Sequence, residues 1–361
     1  MSPDRLSPLD ASFLHIEDHV SHMHIASVAI FEGPPPAFGD IVAMVDAKLD
    51  LVPRYRQKVR SVPFELGRPV WVDDAYFNIE YHLRHTALPA PGGESELRKL
   101  VGRVMAQQLD RSKPLWEIWV VEGLEDDRWA MLAKTHHALV DGISGTDLLA
   151  VIMDLGPDVV RPEPSHWTPQ PEPSSFQLML DALENVVQSP YEQIRAARAQ
   201  TRAVRRMAGY ALEVASGLFS LAGLVRPTPP SSLNGPLGPH RRYAWATTSV
   251  DDIKRVRQAL GGTFNDVVLA SITNGFRELL LARDEDVERV VRTLVPVSVR
   301  PRDPAGKAVG DGTYENKVSA MFAELPVDMH DPALRLHVIT EQMKDLKDSS
   351  QAMAGEALTS M

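Results

Sequence analysis

Residues 134–149 read KTHHALVDGISGTDLL. The run Ala130–Lys134 that leads into them is apolar and strand-like, and the residues after Ser144 predict a helix over Gly145–Leu155, with Ser144 and Asp147 spaced as its capping box. Two adjacent histidines thus fall at the end of a strand. Successive side chains there point to opposite faces, so His136 and His137 cannot share one task. One can face a cleft as a base while the other packs inward, and the same divergence argues against a metal held by both. Asp141 follows His137 by four residues and Gly142 by five. An aspartate in such a loop is suited to orient an imidazole or pair with an arginine, and glycine allows a positive φ or a close backbone approach. The plainer reading is two satisfied histidines beside an ordinary Asp-Gly turn, which leaves the whole spacing at a strand-to-helix junction unaccounted for. His136, His137 and Asp141 are therefore the candidate catalytic group, with Gly142 shaping the loop.

Working outward, strands and helices interleave. Ser21–Phe31 reads as a strand, Phe38–Leu51 has helical spacing, and Glu117–Val121 and Trp129–Lys134 read as strands joined by the turn GLEDDR. Proline-rich stretches at Gly156–Ser174 and Arg226–Pro239 cannot continue a helix or sheet interior and read as linkers. Between them Phe176–Val225 has a helical pattern. Arg195, Arg198, Arg202, Arg205 and Arg206 share one face of it, suited to an anionic lipid surface or, more plainly, to a solvated helix packed across two domains. Beyond Arg241 a second mixed region is expected: strands at Tyr243–Val250, Val290–Val299 and Lys317–Leu325, and helices at Thr263–Ala282 and Pro332–Leu346. The division that follows is 1–155, 156–240 and 241–361.

Composition excludes several classes. With 361 residues, 44% of them hydrophobic, the chain can fill two ordinary cores. A net charge of −10 argues against nucleic acid as a partner. The absence of cysteine rules out a disulfide framework, a thiolate metal site and a protein thioester. No HExxH or GxGxxG spacing occurs, so no metal or redox cofactor is implied. The N-terminus has no apolar core segment of a secretory signal, and the longest uncharged apolar stretch, Val214–Val225, falls short of the roughly 20 residues of a spanning helix. The chain is expected in the cytoplasm, at most peripheral to the inner membrane or to lipid droplets.

The stretch HHALVDG resembles the HHxxxDG motif of the CoA-dependent acyltransferase superfamily, to which chloramphenicol acetyltransferase and peptide-synthetase condensation domains belong. SPLDASFL (Ser7–Leu14), PLWE (Pro114–Glu117), NDVVLA (Asn265–Ala270), VPVSVR (Val295–Arg300) and NKVSAMFAELP (Asn316–Pro326) narrow the resemblance, in the same order along nearly the full chain, to the bacterial wax ester synthase/diacylglycerol acyltransferase family. The resemblance implies an α/β fold of two chloramphenicol-acetyltransferase-like domains, 1–155 and 241–361, joined by a helical crossover, the second C-terminally incomplete. It implies transfer of a fatty acyl group from acyl-CoA, a cosubstrate, to the hydroxyl of diacylglycerol or of a long-chain alcohol, with His137 as general base and Asp141 mainly structural. Asn265 and Asn316 would lie near the substrate channel. Glu315 stands where the family commonly has glycine, so only Asn316 carries over from that pair. Thr263–Asp266 also spells a capping box, which favours a capping role for Asp266, and Pro114, Leu115 and Trp116 read as core. The alternatives are a condensation-type acyltransferase with another acceptor and a non-catalytic lipid- or droplet-binding protein.

Overall fold

The apolar run WAMLAK is buried on both faces, and it forms the central strand of the main sheet. In the computed structural model, which describes residues 4–139, 151–154, 167–188, 231–288, 290–298 and 318–348, this strand, β7 (Arg128–His136), lies between two antiparallel neighbours. These are β2 (His24–Glu32) and β6 (Trp116–Leu124), and β5 (Leu83–Ala87) runs parallel to β6, giving the order β2-β7-β6-β5. Every residue from Trp129 to His136 is buried. Asp126 and Asp127, both at positive φ, close the β6–β7 hairpin, the backbone hand that matches the twist of paired strands. The register sets His24 opposite His136 and Glu117 opposite Lys134.

A parallel pair needs a crossover, and helix α4 (Glu94–Met105) supplies it between β5 and β6. Its Leu97, Leu100, Val101 and Val104 are buried at helical spacing. Lys134 sits in the buried strand with its ammonium on the Val104 and Gln107 carbonyl oxygens, where a cation meets the negative end of the helix. Burial, partly offset by Glu117 and Glu17, brings its pKa down to about 8. Helices α1 (Pro8–Ile16), α2 (Phe38–Lys48) and α3 (Ile79–His82) complete this part. A smaller antiparallel sheet, β1 (Asp4–Arg5), β4 (Val70–Asp73) and β3 (Gln57–Arg60), is covered by α5 (Ser175–Gln188), which lays Leu178 and Ala182 on Val62, Val70 and Val72.

These elements, together with residues 237–244, form the first of two compact units. The second holds α6 (Val250–Leu260), α7 (Phe264–Leu281), the antiparallel pair β8 (Val291–Ser298) and β9 (Val318–Leu325), and α8 (Pro332–Asp348). Ala323, Ile339 and Met343 form one of its buried apolar clusters.

One expected element is absent. Residues 243–249 form no strand, and a helix begins at Val250 instead. The Ser249 hydroxyl accepts the N–H groups of Asp251 and Asp252, so the serine and its acidic first turn open a helix where side-chain alternation alone suggested a strand end. Of the helix expected over Gly145–Leu155, only Val151 and Ile152 are described as helical. The arginine face from Arg195 to Arg206 lies outside the described residues.

Candidate active site

The site is built where β7 ends. The His136 N–H donates to Leu115 O at 3.0 Å, the Leu139 N–H returns to His136 O at 2.9 Å, and the Ala138 N–H donates to His136 Nδ1 at 3.0 Å. His136 is thereby spent on the turn: its side chain is 1% exposed, and the contact to Nδ1 leaves the proton on Nε2. The His137 N–H turns the other way, donating to Met23 O at 2.8 Å, and its imidazole is half-buried, stacked on Phe13 at 5.1 Å between ring centroids.

Phe13 is held there by the start of the chain. Ser7 caps α1 by accepting the Asp10 N–H at 3.1 Å and donating its hydroxyl to Asp10 Oδ2 at 2.6 Å, with Pro8 in the first turn. At the other end of α1, the Glu17 carboxylate, its side chain 2% exposed, gathers three groups. Arg111 donates from Nη2 at 2.7 Å and from Nε at 3.1 Å, the Met23 N–H donates at 3.1 Å, and His136 Nε2 lies 3.6 Å away. Burial alone would raise the Glu17 carboxyl, but the His136 ring, Arg111 and the Met23 N–H outweigh it and hold it down at about 2. Met23 therefore links the two halves of the site, its N–H on Glu17 and its carbonyl on His137.

Burial, and after it the nearby His136, lower the pKa of His137. A half-buried base that is neutral at neutral pH can take a proton from a hydroxyl. His24, by contrast, pushed to about 4 by burial and by Lys134, is buried with its Nε2 on Met105 O at 3.1 Å.

Other residues expected at a site fall elsewhere. Asp141, Gly142 and Asn316 lie outside the described residues. Asp266 is buried and caps α7, accepting the Thr263 N–H at 2.7 Å while its own N–H bonds Thr263 Oγ1 at 3.2 Å; Asn265 beside it is exposed. Both belong to the second unit. Leu115 and Trp116 are fully buried, with Trp116 Nε1 donating to Tyr55 O at 2.7 Å and His82 stacked on the indole at 4.5 Å. Their link to the site is the Leu115 carbonyl that receives the His136 N–H. Glu17, Arg111, Phe13 and Met23 were not expected at the site. Phe13 lies inside a recognised stretch, and Glu17 follows it by four residues, one helical turn on.

The wax ester synthase/diacylglycerol acyltransferase catalytic domain matches residues 6–268, and the C-terminal domain of the same family matches residues 314–361. A probable diacylglycerol O-acyltransferase of Mycobacterium tuberculosis is 37% identical over 358 residues, covering 98% of this chain and 73% of that one. A second, putative one from the same organism is 33% identical over 355 residues, covering 97% and 68%. The structure of a wax ester synthase/diacylglycerol acyltransferase from Marinobacter aquaeolei superposes with a TM-score of 0.68 at 25% identity, covering 99% of this chain and 74% of that chain. The first condensation domain of the calcium-dependent antibiotic synthetase shares the fold at a TM-score of 0.51 and 15% identity, covering 97% and 76%. The chain belongs to the wax ester synthase/diacylglycerol acyltransferase family.

Proposed function

We propose that His137 is the general base of an acyl transfer from acyl-CoA to the hydroxyl of diacylglycerol, and of long-chain alcohols where these are offered. Family membership makes the chain an acyl-CoA-dependent O-acyltransferase. The observation that carries the residue assignment is the split between the tandem histidines: His136 is buried and engaged by Ala138 and Glu17, whereas His137 is half-buried and has its pKa lowered. In the reaction the His137 imidazole accepts the acceptor's hydroxyl proton as that oxygen bonds to the thioester carbonyl carbon. The tetrahedral intermediate collapses, the carbon–sulfur bond breaks, and the proton passes to the departing CoA sulfur. Base assistance contributes about 10²- to 10⁴-fold, and the remaining acceleration comes from positioning and from donors to the oxyanion. Asp141, Gly142, Asn265 and Asn316 keep in this reading the roles that the family resemblance implies for them.

Diacylglycerol is insoluble in water, so the same reading places the protein at a lipid surface, as a peripheral rather than spanning protein. No described helix is long and apolar enough to cross a membrane. The test is release of free CoA from palmitoyl-CoA with diacylglycerol, hexadecanol or no acceptor, with the product identified by chromatography. Acceptor-dependent release with triacylglycerol formed is expected. A folded protein that binds liposomes yet releases no CoA would contradict the reading in favour of a binding protein. Flotation lost on changing Arg195, Arg198 and Arg202 to glutamate would locate the contact.

A further inference from the structure

We infer that Arg241 is a positioning residue for His137, acting through the loop of residues 18–23. The inference rests on His137 being the base. Residues 237–244 are far in sequence from the elements they join, yet they belong to the first unit. The Arg241 guanidinium binds three carbonyl oxygens: Gly238 O at 2.9 Å, His240 O at 3.0 Å, and Val20 O. The first two fix the guanidinium to its own segment, and the third fastens that segment to the loop between α1 and β2.

A second contact holds the segment in place. A Cβ on Gly102, toward the C-terminal end of α4, would come within 2.6 Å of the Arg241 carbonyl oxygen. Alanine is the better helix former, so glycine at this buried position matches the close passage of the 237–244 backbone over the helix.

The loop gripped by Arg241 carries the site. Asp18 Oδ1 accepts the N–H groups of Val20 and Ser21 at 2.8 and 2.6 Å, and Gln108 Nε2 donates to Asp18 O at 2.7 Å. Three residues beyond Val20, Met23 places its carbonyl on the His137 N–H and its own N–H on Glu17. The loop is pinned at Asp18, at Val20 by Arg241, at His22, whose Nδ1 lies 3.5 Å from Met105 O, and at Met23. Releasing Arg241 frees Val20 to move and lets Met23 shift the backbone of His137 against Phe13. A base displaced by a fraction of an ångström loses rate in the chemical step without losing substrate affinity.

The experiment uses the full chain and compares the wild type with Arg241→Ala, Arg241→Lys, Gly102→Ala and His137→Ala, all checked for native circular dichroism. Steady-state CoA release is measured with palmitoyl-CoA and diacylglycerol, together with the NMR signal of the His137 ring in ¹³C-histidine-labelled protein, assigned by its loss in His137→Ala. Arg241→Ala is expected to lower kcat by about 10- to 100-fold, with KM changed by less than about twofold, and to move the His137 signal and its titration. Lysine, which can still reach Val20 O, restores most of the rate. Gly102→Ala pushes the segment off α4 and changes kcat in the same direction. A folded Arg241→Ala protein with wild-type kcat and an unmoved His137 signal overturns the inference, as does a loss of thermal stability alone. If His137→Ala keeps full activity, the base assignment fails, and the NMR shift in Arg241→Ala still decides whether Arg241 positions the ring.

Discussion

His136 and His137 are the same residue type in adjacent positions, and their partners separate them. The Ala138 N–H and the Glu17 carboxylate flank the two ring nitrogens of His136, whereas the described partners of His137 are the Met23 carbonyl to its backbone and the Phe13 ring to its side chain. That the two would diverge was legible from strand alternation. That Glu17 anchors the pair was not, because it depends on Arg111, 94 residues away in sequence. Glu17→Gln removes the charge while keeping the shape, leaving Arg111 without its carboxylate partner. It is expected to lower kcat about tenfold and stability by about 1–3 kcal/mol, measured as steady-state CoA release and urea unfolding. A base works in its neutral form and the His137 pKa is lowered, so activity is expected to be level across neutral pH and to fall only as pH drops below about 6.5. A plot of log kcat/KM against pH with its midpoint above 7 would contradict the assignment.

Among the elements, legibility followed how local the determinant was. The Thr263–Asp266 capping box was readable because its partners are three residues apart, and α7 starts where the box places it. The PLWE stretch was readable as core but not as a support of His136, since that contact runs through a carbonyl. The pattern at Tyr243–Val250 misled because strand-like alternation needs a partner strand, which no sequence window reveals, while Ser249 needs only the next three residues to start a helix. Thr263→Ala is therefore expected to cost about 1 kcal/mol in unfolding with kcat unchanged. Trp116→Phe removes the indole N–H that donates to Tyr55 O and is expected to cost about 1 kcal/mol. Differential scanning calorimetry checks both, and a rate loss in Thr263→Ala at full folding would move Asp266 from cap to site.

At the scale of the whole molecule, the mixed α/β class and the family stretches were visible in the sequence, but the strand order β2-β7-β6-β5 was not. It is set by the α4 crossover and by buried polar side chains that tie helix to sheet. Those buried groups make stability depend on pH. Burial holds His24 and His82 at about 4, against about 6.5 in the unfolded chain. Between those values the unfolded chain binds protons that the folded one refuses, so stability falls as pH drops from about 6.5 to 4, by about 2–3 kcal/mol for each histidine. Glu17, held at about 2, adds its own loss only below about pH 4.5. A Tm that is flat between pH 6.5 and 4.5 would contradict this. The central claim concerns one imidazole, and its most direct test is acceptor-dependent CoA release by the wild type and by folded His137→Ala at pH 7.5. The account requires kcat to fall by at least about 10²-fold with palmitoyl-CoA still bound; wild-type turnover in the variant would show that another group takes the proton.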